Sequence, residues 1–246
     1  PQFYGFLDAG KLPSTAQLNE FQYETFFDAL LQQGDVLHIA FGSGMTASVQ
    51  NAMLAAETLR EKYPERKLTV IDSLCSSSGY GLLMDTAATK RDEGLTAEEL
   101  AAWIEENRLY LHHWFFSTDL TFYVKGGRIS KVAGVFGGLL DICPLLNMDN
   151  LGRLIPRSKI RGKKRVMKEI VARMEEHAQG GLDYSEKCYI SQSACYDDAR
   201  AVADEIEKKF PKLNGKVEIY SVGTTIGSHT GPGTVALFFW GDERKD

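Results

Sequence analysis

The fold turns on the stretch VLHIAFGSGMTAS, residues 36–48. VLHIAF is nearly continuous in apolar side chains, the pattern of a strand covered on both faces rather than on one. Gly42 and Gly44 then open a loop, and an alanine-rich helical pattern runs from Thr46 to about Tyr63, where Pro64 stops it. KLTVIDS, residues 67–73, reads as a second buried strand. Strand, glycine loop, helix and strand in this order make a β-α-β unit, so the chain is read as an α/β protein with an open sheet and crossover helices.

Working outward, residues 19–33 predict a helix. Asn19 and Gln22 have capping-box spacing, Phe26, Leu30 and Leu31 supply an apolar face, and Gly34 ends it. A further helix is expected from about Gly79, and Thr96 with Glu99 makes a second capping box before AEELAAWIEENRLYL. HHWFFSTDL, residues 112–120, reads as a strand, and beyond it the rhythm changes. YVKGGRIS and VAGVFGGLL look like short helices interrupted by glycine, and PLLNMDNLGRLIPRSKI like two strands around a turn at residues 150–152. Helices near 162–178 and 197–210 flank the strand KCYISQSA. The chain closes with KVEIYSVG, a glycine-rich turn over 223–233, and TVALFFW. A boundary near residue 117 divides the chain into an α/β domain over 1–117 and a second over 118–246.

A formal net charge of −5 argues against nucleic acid as the partner, because phosphate binding needs a clustered positive surface. No apolar run approaches the roughly 20 residues of a membrane span, and no signal sequence is visible, so the cytoplasm is the expected location. The four cysteines, Cys75, Cys143, Cys188 and Cys195, are widely spaced without a C-x-x-C pair, which points to free thiols rather than a zinc site or disulfide. No metal and no cofactor is expected, and His112 and His113 have no metal-ligand partners at useful spacing.

Several segments carry possible chemistry. Gly42, Ser43 and Gly44, followed by Thr46 at a helix start, form either an ordinary tight turn or a cradle for an anion, since a helix amino end offers unpaired N–H groups and a positive dipole end. The loop lacks the lysine of a nucleotide phosphate-binding loop. Ser14 and Thr15 lie in a loop before the first helix, where hydroxyls usually bond local backbone. Asp72 and Ser73 end the second strand and could reach a ligand. Between Arg153 and Lys168 stand eight basic residues and no acidic one. A solvated helix face accounts for most of them, while Arg161, at a helix start, could hold an acid group with its planar fork. GTTIGSHTGPG places His229 and Gly227 in a turn dense in glycine and threonine, where backbone can approach a ligand closely. No G-x-S-x-G elbow or triad spacing occurs.

Taken together and in order, STAQ, FGSGMTAS, VIDS with SGYG, YVKGGRIS, LLDICPLL, SKIRGKK and IGSHTGPG resemble the motifs of the DegV family of bacterial lipid-binding proteins. The resemblance covers nearly the whole chain. It implies a two-domain α/β fold, each domain a sheet with flanking helices, that holds one long-chain fatty acid between the domains. It also implies service as the binding subunit of a fatty acid kinase, presenting the carboxylate to a separate ATP-using protein. The family's carboxylate contacts fall on Thr15 and Thr46, and its basic head-group residues on Arg161 and His229. Thr46 replaces the family's usual serine, and Ala16 and Leu18 replace its serine and proline. Family members also begin with a strand ending in Asp-Ser upstream of the first residue here. Nothing in this sequence matches it, so either that region is missing or the first sheet lacks a strand.

Phe115, Phe116, Val135, Phe136 and Leu139 are candidates for the tunnel wall, and the basic stretch for contact with the kinase or, transiently, an anionic membrane surface. The alternative reading is an enzyme acting on a small phosphorylated or carboxylated substrate with His229 as general acid or base. The similarity of the DegV fold to the sheet of dihydroxyacetone kinases keeps it open.

Overall fold

The structure, a computed structural model, describes residues 2–130 and 141–246. Helix α1 (Gln2–Asp8) and a loop lead into α2 (Glu20–Leu31), β1 (Val36–Ala40), α3 (Ser48–Lys62) and β2 (Leu68–Asp72). There follow α4 (Ser77–Asp92), α5 (Ala97–Asn107), β3 (Leu111–Ser117), α6 (Thr121–Lys125), β4 (Ile142–Met148) and β5 (Leu154–Arg161). The remainder comprises α7 (Lys163–His177), β6 (Tyr189–Gln192), α8 (Tyr196–Lys209), β7 (Glu218–Ser221), α9 (Thr224–Thr230) and β8 (Thr234–Trp240). Both expected capping boxes form: Asn19 with Gln22 at α2 and Thr96 with Glu99 at α5, each side chain bonding the other's backbone N–H.

Strands β1 and β2 pair in parallel as a sheet of their own, while the other six form a mixed sheet in the order β5-β4-β3-β8-β6-β7. Only β6 and β7 are parallel there, and the remaining neighbours run antiparallel. The expected boundary near 117 falls at the end of β3, whose partners are β4 and β8. By strand pairing, the chain passes from the small sheet to the large one between Asp72 and Leu111.

Helix packing stacks these elements in layers. α2 and α3 cover one face of the small sheet in a cluster built on Phe27, Leu31, Ala52 and Leu68. The other face, with Ile39 and Ile71, joins the main core through α4 and α5. α4 lies on β3, β6 and β8, and α7 and α8 pack on the large sheet as well. β3 is buried along its whole length, as a central strand between helical layers must be. The double burial expected of VLHIAF is only half realised: Val36, Leu37 and His38 remain partly accessible, because among the described residues β1 pairs with β2 alone.

On β3 and β8 a column of rings forms. Phe239 stacks on His112, His112 on His177 and His177 on Trp114, with Arg173 over the Trp114 ring. Trp103 and Trp240 meet edge to face.

Candidate functional site

A cavity of about 830 Å³ opens between the loops of the small layer and the large sheet, within the range of small-molecule sites. Phe41, Met45, Phe115, Tyr123, Met148 and Phe238 give it a largely apolar wall, set with the hydroxyls of Thr15, Thr46, Ser48, Ser76 and Ser77. Two histidines, His113 and His229, complete the wall together with Arg128.

The segment 223–233, expected as a turn, contains the helix α9, which brings His229 to the cavity. Glycine and threonine are poor helix formers, so packing, not propensity, holds this helix. Gly227 lies against the rings of Phe3 and Tyr4 from α1, where a Cβ would come within 2.9 Å of Phe3. Gly231, at φ +63°, ends the helix against Phe122, and a Cβ there would stand 2.2 Å from that ring. Gly126, after α6, lies under the imidazole of His229. On the opposite side, Thr15 Oγ1 is 2.7 Å from His229 Nε2, bridging the loop before α2 to α9. Burial and then the charge of Arg128 hold the His229 pKa below its ordinary value.

Thr46 stands just before the start of α3. Its hydroxyl accepts from Ser48 N at 3.3 Å and donates to Gln17 Oε1 at 3.2 Å, so it both tethers the helix end and faces the cavity. His113 is fixed as a neutral tautomer. Its Nδ1 donates to Leu111 O at 3.0 Å and its Nε2 accepts from Ser76 N at 3.2 Å, while complete burial pushes its pKa well down.

Other expected site residues lie elsewhere. The cradle of Gly42, Ser43 and Gly44 is taken up by the protein itself. Gly42 packs on the Cys75 backbone and Gly44 on Gly152, where a Cβ would fall 2.2 Å from the carbonyl oxygen, and Ser43 N donates to Asp72 Oδ1. Asp72 also accepts from Leu74 N, and the fully buried Ser73 accepts from Cys75 N, so both shape the loop after β2. Ser14 is exposed, and Gly227 is a packing position beneath the aromatic rings of α1. Arg161, at the end of β5, is exposed and outside the cavity wall. Within the basic stretch, Arg153 pairs with buried Asp149, Arg157 donates to Asn147 and Lys163 pairs with Asp198. Of the proposed tunnel residues, Phe115 lines the cavity and Phe116 belongs to the main core; Val135, Phe136 and Leu139 lie outside the described residues.

Sequence reading overlooked Arg128, the charged side chain of this wall. Its signal was present in KGGRIS, where the glycine pair marks a close approach. The structure also gives His112 the partners not expected of it: Nε2 is 2.9 Å from Asp242 Oδ1, and His177 Nδ1 is 3.1 Å from the same oxygen. Although the three could be metal ligands by distance, the imidazole planes are stacked at 20°. The two rings share the Asp242 carboxylate between them. Cys75, Cys143 and Cys188 are buried free thiols and Cys195 a partly accessible one.

Comparisons with known proteins agree with this architecture. A family model described as "Uncharacterised protein, DegV family" matches residues 2–242. A DegV domain-containing protein of Clostridium perfringens is 34% identical over 244 residues, covering 99% of this chain and 82% of the relative. A solved DegV family protein from Thermus thermophilus, described by its fatty acid binding, superposes with a TM-score of 0.85 at 25% identity, covering 98% of this chain and 84% of its own. The Fak B3 protein of Streptococcus pneumoniae fatty acid kinase, solved loaded with linoleic acid, gives a TM-score of 0.85 at 21% identity, covering 98% and 83%. No helix among the described residues is long and apolar enough to cross a membrane.

Proposed function

This chain belongs to the DegV family, and on that footing we propose that it binds one long-chain fatty acid, with the tail in the cavity and the carboxylate at the Thr15, Thr46 and His229 end. The observation that carries the reading is the wall itself: an apolar cavity of about 830 Å³ with a few hydroxyls and a single formal charge among its described residues. Burying about 0.8 kcal/mol per methylene, a tail of roughly fifteen contributes about 12 kcal/mol before ordering and association costs. Each charge-assisted hydrogen bond adds only about 1.5 to 3 kcal/mol. The tail therefore governs affinity, and the polar end governs orientation.

The same reading has the protein act in the cytoplasm as a carrier that presents its carboxylate to a fatty acid kinase. Solvent-facing Arg161 and the basic run around it are assigned to that partner contact. Mass spectrometry of the purified protein, run native and again after denaturation and extraction, tests the ligand. A stoichiometric mass difference equal to a fatty acid supports the reading; an empty protein that takes up no offered fatty acid refutes it.

One observation favours a second reading, an enzyme using His229 as acid or base: the 2.7 Å contact between a threonine hydroxyl and the imidazole has the geometry of a nucleophile and its base. The ring lacks an orienting partner, because its Nδ1 is buried without a hydrogen bond. Turnover of a small acyl or phosphoryl substrate that disappears in His229→Ala would establish this alternative.

A further inference from the structure

Ser76, Ser77 and Ser78 stand at the start of α4, and the first two line the cavity together with Ser191 of β6. Strand register gives their level along the wall. Thr234, Ala236 and Phe238 line it on β8, where Ser191 pairs with Ala236 and His113 with Phe238. Ser76 N donates to His113 Nε2, so the serines lie beside the stretch from Ala236 to Phe238. The end of the cavity formed by α6 and α9 is at the level of Thr234, whose hydroxyl is 3.0 Å from Tyr123 Oη of α6. At about 3.4 Å per residue of strand, the serines are roughly 7 to 14 Å from that end.

These hydroxyls are not used as a helix start ordinarily uses them. A serine before a helix accepts from the backbone two or three residues on, but Ser76 makes no cap bond, and its hydroxyl has no partner among the described residues. Ser191, only 2% exposed, gives its one proton to Ser78 Oγ at 2.7 Å, so the 2.9 Å bond between Ser77 and Ser191 uses the Ser77 proton. Ser77 is left with lone pairs, and Ser76 with a proton to give. Ser77 is held at φ +52°, in the left-handed region that costs a non-glycine residue about 1 to 2 kcal/mol. His113 does not compete, because Leu111 O engages its Nδ1 and Ser76 N its Nε2. A plain hydrocarbon tail answers neither serine, and a ketone or ether oxygen would only accept from Ser76. An alcohol answers both, accepting from Ser76 and donating to Ser77. Resting on the fatty-acid reading, we propose that this serine cluster is a second polar subsite of the cavity, and that the ligand class it selects is a long-chain fatty acid with a hydroxyl group in the middle of its chain.

The test measures equilibrium binding of octadecanoic acid, of its monohydroxy derivatives with the hydroxyl moved along the chain, and of the oxo acid that matches the tightest of them. One isomer hydroxylated in mid-chain is expected to bind at least as tightly as the plain acid, and about ten- to a hundredfold more tightly than isomers hydroxylated several carbons to either side, whose hydroxyls are buried unpaired. The matching oxo acid, which lacks the proton for Ser77, should bind about two- to tenfold more weakly than the hydroxy acid. Ser76→Ala, which removes no helix cap, and Ser77→Gly, which relieves the left-handed backbone, should each shrink the ratio of hydroxy-acid to plain-acid affinity by about two- to tenfold. The inference is overturned if every hydroxy isomer binds more weakly than the plain acid, if the isomers do not differ, or if the preference survives both substitutions. Those outcomes leave the fatty-acid reading standing, whereas an unaltered protein that binds neither the plain acid nor any derivative refutes that reading and the subsite with it.

Discussion

The small layer of α2, α3, β1 and β2 and the six-stranded sheet both reach the cavity, but in unlike ways. The small layer contributes loops: Thr15 to Leu18 ahead of α2, and Phe41, Met45, Thr46 and Ser48 between β1 and the start of α3. The large sheet contributes strand faces, among them Phe115, Met148 and Phe238. A two-stranded sheet has little independent stability, and this one is held by helices on both faces and by a few close contacts with the larger body. Gly44 rests on Gly152 in the β4–β5 turn. The buried guanidinium of Arg244 donates to the carbonyls of Leu74, Arg108 and Asp149, one from each of three connections. The lesson is a division of labour: the sheet provides the apolar wall, and the joint between layers decides where the hydroxyls point.

That contrast can be broken most severely at Arg244. Arg244→Ala leaves three carbonyls without their charged donor, and a loss on the order of 4 kcal/mol is expected in urea unfolding. A loss below about 1 kcal/mol would place the joint elsewhere. Acid should strain the large body next. Burial, opposed by the Asp242 carbonyl, lowers the His112 pKa from 6.5 to about 4. The unfolded chain therefore takes up the proton first, so stability is full above about 6.5, falls as pH drops below it and levels off near 4. This group's share of the fall is on the order of 3 kcal/mol, and His112→Asn should remove it from the difference between urea midpoints at pH 7 and pH 4.

Gly44→Ala sharpens the comparison at the joint, since its methyl meets backbone rather than a movable side chain. It should cost about 1 to 3 kcal/mol and weaken fatty-acid binding, whereas full affinity in a destabilised variant would uncouple joint and site. The smallest effect is expected of Thr46→Val. It should cost binding roughly 1 kcal/mol and, if the proposed kinase partnership holds, impair acyl phosphorylation more strongly; equal losses in both assays would contradict the orienting role.

Much of this was legible in the sequence because it is local. The capping boxes at Asn19 and Thr96, the stop at Pro64 and the apolar runs of β1, β2, β3 and β8 depend on nearby residues, and each lies where it was read. The hidden parts are long-range. Nothing near HHWFFSTDL reveals that β3 pairs with β4 and β8 rather than extending the β1–β2 sheet. α9 was read as a turn because Gly227, Gly231 and the threonines disfavour helix, while the rings of Phe3, Tyr4 and Phe122 that fix it come from far along the chain. Thr15, Thr46 and His229 were marked by resemblance and do line the cavity. Arg128 was missed because its place depends on how α6 meets α9, and Gly42 and Gly44 misled because glycines that admit a ligand and glycines that admit the protein's own backbone look alike in sequence.

The three tryptophans have an optical consequence. Trp103, Trp114 and Trp240 stand with the ring column and its neighbours, and none lines the cavity. Their emission should follow the packing of the large sheet, since the ring of His177 lies flat against Trp114. A fatty acid entering between the layers would leave that signal unchanged, so the same fluorophores that report unfolding are blind to ligand, and uptake has to be followed with a labelled acyl chain.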